Sequence, residues 1–293
     1  MNVFRRRLLG SVVACAAVLV AGMAVGTPSP GRAAEAPVAR PAPPPELVVA
    51  LDLGDPALQA GAIRGIDVVV ARGFEVDLAR VLAKRLGSTR VRLVNVRPAG
   101  RRLAAGAVSW HIALAALTRA EVNEAHATSI PYLPAGQAVV PRRGVEPPRS
   151  LAVLRTLQLC ATRRSAGVAT IASVVRPDQR PILAPGNDRL VQLLQTGACD
   201  AALVDGVAVG RVVAGRGQLL GRVAVRVDRE PGVVVAVAAG SPIALRDIDR
   251  VLRHLRASGT LSALARRWLG IDPARLRPLV AVEPTEPPTT LPQ

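Results

Sequence analysis

Leu47-Val48-Val49-Ala50-Leu51 is an unbroken apolar run. At residues 74–86, Val76, Leu78, Ala79, Leu82 and Ala83 recur at helical spacing, with Glu75, Asp77, Arg80 and Lys84 between them on the polar side. This alternation constrains the fold most, because a strand with no polar side must be covered on both faces. It repeats along the chain. Residues 91–94 and 111–117 read as strands, and 137–140 runs extended toward Pro141. A second series has strands at 157–161, 181–183 and 201–204 with helices at 165–175 and 188–196. An extended run at 233–238 and helices at 243–258 and 261–268 follow. Gly87 stops the first helix, and Ala257-Ser258-Gly259-Thr260 supplies a stop and then a threonine N-cap. Strands separated by helices of about ten residues imply parallel α/β units, here in two groups. Ligands of such sheets sit outside the carboxyl ends of the strands. The expected cleft is therefore lined by Asp52, Thr118, the 163–166 loop and Asp205.

The two ends of the chain differ from this body. Arg5-Arg6-Arg7 precedes an apolar run at 8–25, and small residues lead to Ala33, which reads as an export signal over 1–33 cleaved before Ala34. A retained membrane anchor is the alternative, and general secretion or twin-arginine export would both fit. Val12-Val13-Ala14-Cys15 resembles a lipid-attachment motif, placed early in the run, so lipidation at Cys15 is a further, less favoured alternative. Residues 34–46 form a Pro/Ala linker and 271–293 a Pro-rich tail, both with little capacity to pack.

Half of the 293 residues are hydrophobic, which excludes a disordered chain, and three cysteines exclude a disulfide scaffold. The net charge of +17 is almost all arginine, since Lys84 is the only lysine. An exported chain with 2% aromatic residues is a poor nucleic-acid binder, so no such partner is expected. His111, His126 and His254 are not spaced for a metal, and no phosphate loop or nucleophile elbow is present, so no cofactor is expected. His111 reads as a core residue and His254 as solvated. Cys160 and Cys199 read equally well as a disulfide or as two buried thiols.

Four segments in order carry a resemblance. They are Arg72-Gly73-Phe74-Glu75-Val76-Asp77-Leu78-Ala79, Ala116-Leu117-Thr118-Arg119 with Ser129-Ile130-Pro131-Tyr132, Gly197-Ala198-Cys199-Asp200-Ala201 through Asp205, and Leu255-Arg256-Ala257-Ser258-Gly259 with Trp268-Leu269-Gly270. Together they resemble the extracytoplasmic solute-binding proteins of the amino-acid type, the family 3 receptors of ABC importers. The resemblance implies a two-lobed, type II periplasmic-binding-protein-like α/β fold. Each lobe would be a mostly parallel sheet flanked by helices, and two hinge crossings would join them. Lobe 1 would be 47–136 plus 239–270, with the crossings and lobe 2 in 137–238. It also implies a monomeric, non-enzymatic receptor that closes on a small polar, amino-acid-like ligand and presents it to an importer's permease and ATPase.

By the same resemblance Asp205 and Thr118 would hold the ligand's amino group, and Asp52 would help select its side chain. The family's carboxylate-gripping Arg falls in register on Val122 or Asn123, which leaves Arg119 as the nearest cation. Ser165 and the helix it precedes remain for an anion. The aromatic wall falls near Leu58, leaving Tyr132 and Trp110 as the main aromatic candidates. Two alternatives share the fold. A cyclohexadienyl-dehydratase-like enzyme would need an acid or base from Asp52, Asp205 or His111. A receptor-like sensor or scaffold would have lost its ligand.

Overall fold

The computed structural model describes residues 43–96, 109–214 and 219–279. Strand β1 (Glu46–Leu51) is the expected apolar run. Successive side chains of a strand point to opposite faces, so Leu47, Val49 and Leu51 enter one core while Ala50 enters another. A hairpin of β2 (Ala60–Arg64) and β3 (Asp67–Arg72), turning at Gly65, leads into α1 (Phe74–Leu86). β4 (Arg90–Asn95), β5 (Ile112–Leu114) and β6 (Ala127–Thr128) follow.

The chain then leaves on β7 (Leu133–Pro141) and builds α2 (Leu151–Thr156), β8 (Leu159–Thr162) and α3 (Ala166–Thr170). β9 (Ile182–Ala184), α4 (Asn187–Gln195), β10 (Ala201–Asp205), α5 (Val209–Val213) and β11 (Val225–Val233) complete this lobe. β12 (Ala236–Val237) returns to the first sheet, and α6 (Leu245–Ala257) and α7 (Thr260–Leu269) pack on its core. A last short strand, β13 (Arg277–Pro278), rejoins the second lobe.

The seven-stranded first sheet has the order β2-β3-β4-β1-β5-β12-β6, and the six-stranded second has β13-β11-β7-β10-β8-β9. Both are mixed. Parallel strands form the centre of the first sheet (β4-β1-β5) and one side of the second (β10-β8-β9), and the crossing and hairpin strands add antiparallel pairs beside them. The expected mostly parallel sheet holds in lobe 2, where three of the five pairings are parallel, and in lobe 1 only at the centre, where short hairpin and return strands pair antiparallel on either side. β7 and β11 run antiparallel to each other, and their ends at Leu133 and Val233 reach the core of the first lobe.

Several details differ from the sequence reading. Glu75, assigned to the polar side of α1, is fully buried. Gly259 takes a left-handed conformation (φ 73°) that ends α6, and Thr260 is the first residue of α7 rather than its cap. The helix expected over 165–175 widens into a π turn at Ile171–Val175. Chain packing continues to Leu279, nine residues into the expected tail. Leu276 and Leu279 are buried in the second lobe, and β13 pairs with β11. The chain thus crosses between lobes a third time just after Gly270. A side chain at Gly210 would meet the Leu269 carbonyl at 1.6 Å, so α5 and the end of α7 touch backbone to backbone. At the other end of the body, the Pro44 and Pro45 carbonyls accept hydrogen bonds from Ser88 and Thr89. Cys160 and Cys199 form a disulfide with Cα atoms 6.0 Å apart, tying β8 to the turn before β10. The export signal, most of the linker and residues 280–293 lie outside the described residues.

Candidate functional site

The site begins at the start of α1. Gly73 sits at φ 129°, and a Cβ there would lie 2.3 Å from the Leu58 carbonyl. Only glycine permits this approach. The approach lets the first helical N–H groups, of Phe74 and Glu75, donate to the carbonyls of Ala57 and Leu58. No side-chain cap is needed.

The buried Glu75 carboxylate then gathers three loops. It accepts from the Gln59 side-chain amide, the Tyr132 hydroxyl and, at 3.0 Å, the Ala116 N–H. Burial raises its pKa to about 7; the three donors offset part of the shift, and the nearby Asp52 carboxylate adds to it. Ala116 is held at φ 53°, a strained conformation for a residue with a Cβ. Leu58 and Ala116, both fixed through this cluster, line the cleft.

The cleft has a volume of about 230 Å³ and lies where the strands of both sheets end. From lobe 1, Leu58, Ala116, Thr118 and Glu121 line it. Thr118 and Glu121 form a closed unit, in which Glu121 Oε2 accepts from the Thr118 N–H at 2.8 Å and from its hydroxyl at 2.9 Å. The hydroxyl oxygen keeps lone pairs for a ligand donor.

From lobe 2 come Ala166, Thr170 and Asp205, with Gln137 on β7. Asp205 and Gln137 are directly paired across β10 and β7, so their side chains share one face of the sheet. Asp205 Oδ1 accepts from the Val207 N–H at 3.0 Å. The carboxylate opens into the cleft, but the surrounding walls desolvate it and raise its pKa. Asp55 adds to the rise, while the Val207 N–H and Arg211 oppose it. The Gln137 Oε1, Ser165 Oγ and Thr170 Oγ1 atoms are buried with no hydrogen-bond partner. A Cβ on Gly167 would lie 3.3 Å from Ser165 Oγ and 3.4 Å from Gln137 Oε1, so the glycine makes room for both.

Among the residues expected at the site, Thr118 and Asp205 line the cleft on opposite walls, and Ser165 lies beside it as the residue preceding α3. Asp52 is set back, its carbonyl accepting from the Gly54 N–H in a tight turn and its charge acting on Glu75. Arg119 is exposed on a short 3-10 turn and is not part of the lining. Asn123 uses its Oδ1 to accept from the Ala125 N–H at 2.8 Å, and Val122 is buried in the core.

Neither aromatic candidate lines the cleft. Tyr132 is committed to Glu75 and stacks on Phe74, and Trp110 packs against His126. His111 accepts from the Val48 N–H, and burial lowers its pKa. Gln137, Thr170 and Glu121 were not legible as site residues. The one signal was a single glutamine opening an otherwise apolar strand.

One further contact spans the lobes. The Arg211 guanidinium on α5 donates to both Asp55 carboxylate oxygens, at 3.0 and 2.7 Å. Among the described residues, no three His, Cys, Asp or Glu side chains are grouped to hold a metal ion. No described helix is long and apolar enough to cross a membrane.

A family model for bacterial extracellular solute-binding proteins, family 3, matches residues 67–271. The chain belongs to that family. Solved structures share the fold at low identity. The L-cystine solute receptor of Neisseria gonorrhoeae, in its unliganded open conformation, is 19% identical with a TM-score of 0.61, covering 78% of this chain and 93% of the receptor. The substrate-binding protein of a polar amino acid ABC uptake transporter from Streptococcus thermophilus is 16% identical with a TM-score of 0.60, covering 78% and 87%. An ancestral cyclohexadienyl dehydratase is 19% identical with a TM-score of 0.57, covering 78% and 93%. No curated protein matches the chain.

Proposed function

We propose that this family 3 protein is an exported receptor that captures a small polar solute between its lobes and delivers it to the permease and ATPase of an ABC importer. Capture and release are the whole of its activity, and no bond is made or broken. The observation that carries this reading is Asp205, a carboxylate at the end of β10 that opens into the cleft with Thr118 on the facing wall. A ligand ammonium between them would donate a charge-assisted hydrogen bond to the carboxylate of one lobe and another to the hydroxyl oxygen of the other. Binding both lobes at once favours the closed arrangement over the open one, the hinge β7–β11 carrying the motion.

The test is a thermal-shift screen of the full chain against amino acids, small amines, short peptides and organic acids. A solute at a hundred times its dissociation constant adds about 2.7 kcal/mol of stability. A rise in melting temperature that Asp205→Asn abolishes supports the reading. A folded protein unmoved by the whole panel overturns it.

A further inference from the structure

We infer that the cleft selects an organic amine that carries no carboxylate, because its described walls present acids and hydrogen-bond acceptors but no cation; this rests on the solute-binding reading above. The only ionisable side chains among the described lining residues are Glu121 from lobe 1 and Asp205 from lobe 2. No Arg, Lys or His joins them. The cation best placed to neutralise Asp205 is Arg211, and both arms of its guanidinium are held by Asp55. Arg119 is exposed and outside the lining.

The uncharged polar atoms at the walls point to the same chemistry. Gln137 and Thr170 are 5% and 1% exposed, and Gln137 Oε1 and Thr170 Oγ1 have no hydrogen-bond partner. An amide oxygen only accepts. Asp205 Oδ1 and Glu121 Oε2 accept from backbone N–H groups, which leaves Asp205 Oδ2 and Glu121 Oε1 with no donor among the described residues. An ammonium brings three donors and no acceptor, which fits the carboxylate and amide oxygens, and the Thr170 hydroxyl can accept from it as well. A carboxylate would bring a negative charge and more acceptors to walls that already hold both. The remaining lining is aliphatic, including Leu58, Val207 and Val233, and the cleft measures about 230 Å³. That volume suits a short methylene chain.

Matched pairs test the claim. The full chain is titrated by calorimetry at pH 7.5 with 1,4-diaminobutane and ornithine, and with agmatine and arginine. Within each pair the ligands differ only by the α-carboxylate. Each amine is expected to bind at least tenfold more tightly than its amino acid. In Glu121→Gln, which keeps an acceptor for Thr118, that ratio is expected to narrow about tenfold while the melting temperature of the free protein stays in place. Amino acids that bind as tightly as their amines overturn the inference and leave the receptor reading standing. So does a ratio unchanged in Glu121→Gln. Binding of an organic acid or neutral solute but of neither amine also overturns the inference alone. No binding by any solute overturns both.

Discussion

The two walls of the cleft solve opposite problems. On the lobe 1 wall the carboxylates that shape the surface are held by protein donors. Glu75 ties Gln59, Ala116 and Tyr132 together, and Glu121 closes on Thr118. On the lobe 2 wall Gln137, Ser165 and Thr170 each hold a buried polar atom with no partner. Buried polar groups are costly when unpaired, so we read the Glu75 cluster as a folding feature and propose the unpaired lobe 2 atoms as ligand contacts. Damage to the Glu75 cluster should therefore appear as lost stability, and damage to the polar groups facing the cleft as lost binding.

The largest stability effect belongs to the scaffold of the second wall. The Cys160–Cys199 bridge closes a loop of 39 residues. Chain entropy then assigns it about 4 kcal/mol. Cys160→Ser with Cys199→Ser should lower the denaturation midpoint by that order, and a change under about 1 kcal/mol would mean lobe 2 does not depend on the bridge.

Glu75 gives the next effect, and its sign is unusual. Its folded pKa is raised to about 7, so between the ordinary carboxylate value and 7 the folded state holds the proton that the unfolded state has lost. Stability should fall as pH rises through that window, by a few kcal/mol, and level off above 7. His111, with a lowered pKa, acts in the opposite sense, its share being lost as pH falls. Comparing melting temperature against pH for the wild type and Glu75→Gln isolates the acid. The variant should lose most of the fall, keeping the share of Asp205, whose pKa is also raised, and parallel curves would refute the assignment.

Smaller still is the expected response of Thr170→Val. Removing a hydroxyl that has no partner should leave stability within about 0.5 kcal/mol. Solute affinity should drop about tenfold, as for one lost hydrogen bond. The reverse pattern, unstable but tightly binding, would interchange the roles of the walls. The Asp55–Arg211 pair is half-exposed and worth about 0–1 kcal/mol. Arg211→Ala should barely move the melting temperature, and added salt should move it even less.

How much of this the sequence shows varies with the physics. Helix α1 is legible to the residue, because an apolar period of 3.6 lies between Gly73 and Gly87, whose backbones need positive φ. The hairpin β2–β3 is not, since Val68-Val69-Val70 runs apolar where alternation would mark a strand and Val70 is left exposed at φ 52°. β11 is hidden because Arg-Glu-Pro interrupts it, at the place where its pairing with β7 shifts register. Residues 271–279 read as tail because proline dominates the segment beyond them, while scattered residues, Ile271, Pro273, Leu276 and Leu279, carry the packing. Thr118 and Asp205 stand out as strand-end residues. Gln137 reaches the site only through its pairing opposite Asp205, and Thr170 only through a helix placed by the second sheet. Glu75 looks like one more charge on a helix until three separate loops converge on it.

The most direct measurement is calorimetric titration of 1,4-diaminobutane into the wild type and Asp205→Asn side by side. Removing one charge from the ligand-facing wall should weaken binding at least a hundredfold, with the melting temperature of the free protein unchanged or raised. Equal affinity in the two proteins would mean that Asp205 does not hold the solute and that the cleft is not the capture site.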